Sequence, residues 1–183
     1  MAADHEIFLG HLESIFGNED AIHQAEATDG GPPVCVFVYR NIPESGMITG
    51  VTYGLSLVSH PAWKLARPEM IVSVNSREID WPCAAATFAA SFRGQRVFQY
   101  GDVFTTDVPL ATDTRMNGFL VFAQSILDEE AASIQLNEYK VHLSQFYPIY
   151  SEEIEVYERI GLEAFWKHRD FDMYDINRRP IRS

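Results

Sequence analysis

The chain has 183 residues, 46% of them hydrophobic, 22% charged and 13% aromatic, with a formal net charge of −12. That composition supports one globular domain with a sizeable core and excludes an intrinsically disordered chain. No apolar run nears the roughly 18 residues that a membrane-spanning helix needs, and so strongly acidic a chain disfavours direct contact with a nucleic-acid backbone.

The charge is segregated. Residues 1–29 hold seven acids and no Lys or Arg, residues 30–125 are balanced, and residues 126–163 hold nine acids against Lys140 and Arg159. Residues 164–183 are mildly basic. Acidic blocks of this kind serve solubility, or they attract and steer a basic partner. The N-terminus lacks a basic stretch followed by an apolar one, so no signal peptide is expected. Cys35 and Cys83 lie among apolar neighbours, which fits free thiols in a reducing compartment and a cytoplasmic location.

In chain order, Phe8, Leu12, Ile15 and Phe16 predict a helix over 4–16, capped by Asp4 and stopped at Gly17-Asn18. Residues 18–33 read as a surface connection, with a further helical turn near Ala21 to Ala25. Residues 34–39 are continuously apolar and predict a strand buried on both faces. A second strand is expected over 47–57, with Val51, Tyr53 and Leu55 on one face and Thr52, Gly54 and Ser56 on the other. Gly50 and Gly54 mark close backbone approach or a bulge. Small residues on one face are read as a place where another element packs closely; a peptide-docking groove is the alternative.

Residues 68–74 predict a third strand, and 82–92 an alanine-rich helix with Pro82 in its first turn. Residues 94–117 read as loops, 118–122 as a buried strand and 139–147 as a long strand ended by Pro148. Residues 134–136 are expected to pair with that strand. Ser151 is expected to cap a helix over 151–167, with Glu152 and Glu153 favouring its start. The core is placed at about 34–167, with 168–183 as a charged arm. The strands come in runs, so the expected fold is α+β: a mixed sheet with helices packed on it, sandwich-like, in one domain spanning 1–183.

Catalytic patterns nearly form and fail. Gly54-Leu55-Ser56-Leu57-Val58 lacks the second glycine of a nucleophile elbow and lies within an expected strand. The stretch His168 to Asp175 lacks the turn glycine and late glutamate of a calcium loop. No histidine pairs with a second His or Cys at zinc-ligand spacing. Glu152 and Glu153 are adjacent and point apart on a helix. No catalytic residue, metal or cofactor is therefore expected, and an enzyme of a kind not visible locally is the least favoured class.

Three segments in order carry a resemblance: Thr52-Tyr53-Gly54-Leu55-Ser56, Pro68-Glu69-Met70-Ile71-Val72, and Phe146-Tyr147-Pro148-Ile149-Tyr150-Ser151-Glu152-Glu153-Ile154. With Gly101-Asp102 and the strand from Gly118 to Phe122, they make residues 34–165 resemble the suppressor of fused domain, above all its bacterial stand-alone members. The resemblance implies a mixed α/β sandwich and protein binding. In animals the domain is half of a longer regulator that grips a transcription factor's peptide; 183 residues leave no room for that second half, so the signalling role is not carried over. Many bacterial members resemble immunity proteins that neutralise secreted toxins. The expected function is thus binding of a protein partner, a basic toxin domain in the first instance, with peptide capture by β-strand addition as the alternative. Candidate contact residues are Asp128, Glu129 and Glu130, and the small face of Thr52, Gly54 and Ser56. The oligomeric state is left open.

Overall fold

The computed structural model describes residues 2–182. Helix α1 spans Asp4–Phe16, followed by strands β1 (Ala21–Ala25), β2 (Val34–Arg40), β3 (Ile48–Tyr53) and β4 (Arg67–Val74). Helix α2 is Asp80–Phe92; then come β5 (Val103–Thr105), β6 (Gly118–Ala123), β7 (Ser133–Gln135), β8 (Lys140–Ile149) and α3 (Ile154–Trp166). The sheet order is β1-β2-β3-β4-β8-β6-β5, with β7 also on β8. The first four strands form an antiparallel meander, and β8 joins β4 in parallel. β6 and β7 pair antiparallel with successive parts of β8. The sheet is mixed, as the runs of strands predict.

Both faces are covered, which explains the continuously apolar strands. Val34, Val36 and Val38 of β2, Val72 of β4 and Phe146 of β8 pack with Trp81, Ala85, Phe88 and Ala89 of α2. The alternate residues Phe37, Tyr39, Ile71, Val141 and Leu143 meet Phe8 and Leu12 of α1. Further along that same face, Tyr147 and Ile149 meet Phe165 of α3. α2 packs tightly over Gly50: a Cβ there would lie 2.8 Å from Pro82 Cβ.

Several expectations change. Residues Ala21–Ala25 are not a helical turn but an edge strand, made by pairing with β2. Its middle residues are exposed, so it carries no alternation to read. β8 runs through Pro148. β4 pairs with it only as far as Phe146, so the N–H that proline lacks is not demanded there. The cap of α1 is Ala3, whose N–H donates to Glu6 (2.8 Å), while Asp4 accepts from Asn137. Ser151 lies within a short 3-10 turn, Ser151–Glu153, and α3 is broken at Gly161 (φ 79°).

The largest change is at the C-terminus. Residues 168–182 have no regular structure, yet Ile176, Arg178 and Ile181 are buried. Glu153 is wholly buried and does not act as a surface helix-start charge. It takes a bidentate pair from Arg178, with Nη2–Oε2 at 2.8 Å, and also accepts from Ile181 N (2.7 Å) and Tyr150 N (2.9 Å). The segment expected to be an arm is folded into the molecule by this pair.

Candidate functional site

β3 ends at Tyr53, and the expected continuation of the strand turns instead into a 3-10 segment, Leu55–Leu57. Gly54 makes the turn at φ 137°, and a Cβ there would sit 2.9 Å from Val34 Cα. Beneath it lies Glu69 of β4, fully buried. Its carboxyl group accepts from Gly54 N (2.7 Å), Ser56 N (2.9 Å), Ser56 Oγ (2.7 Å) and Thr52 Oγ1 (2.6 Å). Burial pushes the Glu69 carboxyl above the usual carboxylate range, against the pull of these donors. The turn's carbonyls are held from outside: Arg93 Nη1 donates to Gly54 O (2.9 Å) and Arg67 Nη1 to Ser56 O (2.9 Å). Arg93 is anchored by Asp29 (Nε–Oδ2 2.8 Å), whose carboxyl it holds down at about 2.

Thr52, Gly54 and Ser56 are therefore brought together, but inward. They wrap a buried acid and receive the β2 backbone; they do not line an open groove. Ser56 Oγ is buried and engaged with Glu69, so no exposed nucleophile stands at this turn.

An open groove lies nearby, over the end of the sheet. Its walls are Trp63, Leu65 and Ala66 on one side and Val97, Phe98 and Tyr100 on the other; Pro68, His142 and Ser144 line its sheet side. Its volume is about 620 Å³. Trp63 Nε1 donates to Val97 O (2.7 Å), tying one wall to the other. Leu65 is 93% exposed and Tyr100 46% exposed. The Tyr100 hydroxyl lies 3.3 Å from His142 Nε2. Burial, helped by Lys140, pulls the His142 pKa down, and Glu129 opposes this.

The acidic turn flanks that groove. Ser133 of β7 stands opposite His142 of β8, and Asp128, Glu129 and Glu130 lie two residues before β7, with Glu129 close enough to act on His142. All three are exposed. Asp128 Oδ1 accepts from Ala131 N (2.7 Å), and His11 Nε2 meets Ala131 O (2.8 Å), which fixes the turn to α1. Sequence reasoning singled out the acids but missed Trp63, Leu65, Tyr100 and His142. The available signal was a Trp and a Leu inside a short proline-containing connection between two strands.

Among the described residues no three His, Cys, Asp or Glu side chains gather as a metal site, and no helix is long and apolar enough to cross a membrane. Cys35 and Cys83 are free and half-buried.

The architecture is α+β, a mixed sheet with one helix on one face and two on the other. The sequence pattern of the family described as suppressor of fused protein (SUFU) matches residues 30–179, and the chain belongs to that family. A suppressor of fused homologue from Neisseria gonorrhoeae is similar at TM-score 0.73 and 18% identity, over 97% of this chain and 96% of that one. A chain of the Sufu–Fu complex is similar at TM-score 0.66 and 15% identity, over 97% and 91%. Drosophila suppressor of fused is similar at TM-score 0.64 and 17% identity, over 94% of this chain and 48% of that one. No curated protein matches the chain in sequence.

Proposed function

We propose that this protein works by holding another protein, and that the partner docks in the groove of Trp63, Leu65 and Tyr100 with a basic side chain against Glu129 and Glu130. The observation that carries this reading is the adjacency of the two features. A nearly fully exposed leucine on an aromatic-walled groove lies beside an exposed acidic turn. Apolar anchor and charged rim are the usual anatomy of a recognition patch. A family relative is itself described in a complex with a protein, Fu.

The favoured partner is a basic toxin domain, neutralised by direct binding in the manner of an immunity protein in the cytoplasm. The net charge of −12 and the likeness in fold to a bacterial suppressor of fused homologue support it. The whole chain acts as one unit, including residues 168–182. A second reading is peptide capture by strand addition at β1, an exposed sheet edge on which Ile22 is 49% exposed.

Affinity capture from the native organism, with Leu65→Asp as the paired bait, tests the groove. The parent should retain a basic protein that the variant loses, at unchanged melting temperature. Equal capture by both baits would remove the groove from the interface. Loss on Ile22→Asp in its place would assign binding to the β1 edge.

A further inference from the structure

At the end of the chain, sequence spacing and docking combine. Arg178 and Ile181 point into the molecule, buried with Glu153 and against α3. The intervening pattern leaves Arg179 and Arg182 outside, both exposed. Two other arginines meet them. Arg115 follows Thr114, whose Oγ1 donates to Ile176 O (2.6 Å) and so knits that loop to the tail. Arg169 lies in the turn after α3, where Phe171 N donates to His168 O (2.9 Å) and the Phe171 ring packs under Arg178.

Together Arg115, Arg169, Arg179 and Arg182 ring a concavity of about 840 Å³, completed by Pro180 and Asp170. Among the described residues the ion pairs of Asp170 are with Arg169 and His168, each at 3.8 Å. Among the described residues the ion pairs include neither Arg115, Arg179 nor Arg182. Four guanidinium groups held together repel one another. In a chain of net charge −12 they are not needed for solubility. Guanidinium forks suit phosphate oxygens, and a concave cluster focuses their field.

We infer that this concavity, assembled from three segments by the docked tail, binds a small soluble anion carrying two or more phosphate groups. It is independent of the groove at Trp63. A nucleic acid or an anionic membrane would have to lie against the acidic remainder of the surface, which restricts the ligand to one that fits inside the ring.

The test is thermal melting with tripolyphosphate, ionic strength being held constant with sodium chloride. At about a hundredfold excess over its Kd, the midpoint should rise by about 5–10 °C. Arg179→Gln/Arg182→Gln should melt at or slightly above the parent when no ligand is present, the repulsion being relieved, and lose the rise. Arg115→Gln, titrated by calorimetry, gives a second readout independent of melting and should weaken binding at least tenfold. No rise in the parent, or an equal rise in the double variant, would overturn the site. A larger rise with poly-glutamate than with tripolyphosphate would overturn the phosphate assignment and give the ring to an acidic peptide.

Discussion

Arg178→Met should cost about 3–5 kcal/mol, the usual penalty for stripping one partner from a buried ion pair. The reason is specific to the site. Glu153 would keep two backbone donors, Ile181 N and Tyr150 N, but lose both guanidinium contacts while remaining wholly buried. The guanidinium also lies against Phe171 and Tyr150, with its carbon 4.9 Å and 5.7 Å from the ring centroids. Methionine keeps much of that apolar contact, so the loss isolates the charge. At this chain length each kcal/mol moves the melting midpoint by about 2–4 °C, so the fall should be about 6–20 °C. Urea titration should show a lower midpoint at unchanged slope if the change is in stability alone. Chymotrypsin should then cut at Phe171 under native conditions, because that ring packs against Arg178 and the tail is held by the same pair. Adding Glu153→Gln should recover part of the loss, since the uncompensated charge is then gone. A single variant that melts within 2 °C of the parent, roughly the shift expected from 1 kcal/mol, would refute the reasoning. So would a double variant no better than Arg178→Met alone.

Gly54→Val should destabilise by about 2–5 kcal/mol, combining overpacking against Val34 with a side chain at positive φ, as read from urea unfolding. A variant that unfolds like the parent would mean the turn yields freely. Glu69→Gln should flatten the pH dependence of stability. Its folded carboxyl titrates above the ordinary value, so the folded state binds more protons and stability falls as pH rises from about 4.5 through the raised pKa. The urea midpoint measured from pH 4 to 8 checks this, and an unchanged slope in the variant argues against it. Replacing Asp128, Glu129 and Glu130 by their amides should slow association with a captured basic partner and remove its salt dependence, while dissociation changes less. An association rate flat across a salt titration of the parent would make these acids solubility charges.

Much of the fold was legible because burial leaves a periodic mark. Residues 34–39 announced a doubly covered strand, and Ala85, Phe88 and Phe92 announced the helix that covers it. β1 was not legible, because an exposed edge strand is specified by its neighbour's backbone and not by its own pattern. The end of β3 was misjudged for a related reason. Thr52, Gly54 and Ser56 alternate as a strand would, but a buried acid seventeen residues after Thr52 gathers their donors and bends the chain. No local pattern reports a partner at that distance. Glu153 and Arg178 hid in the same way: each sits in a charged stretch that reads as solvated, and only their meeting makes both internal.

That meeting also bears on how the two surfaces coexist in one acidic molecule. The tail's basic charge is not a solvated counterweight to the acids of residues 126–163. One arginine is taken inside by Glu153, and the docking it produces concentrates Arg179 and Arg182 with Arg115 and Arg169 in one place. The acidic turn at 128–130 has its own anchorage, through His11 to α1. Because the two surfaces are held by different contacts, loosening the tail should abolish the arginine ring without disturbing the groove. Arg178→Met, at a temperature where it remains folded, should therefore lose tripolyphosphate binding while a groove-bound partner is kept. Loss of both together would mean that the two surfaces share a support that their separate anchors do not reveal.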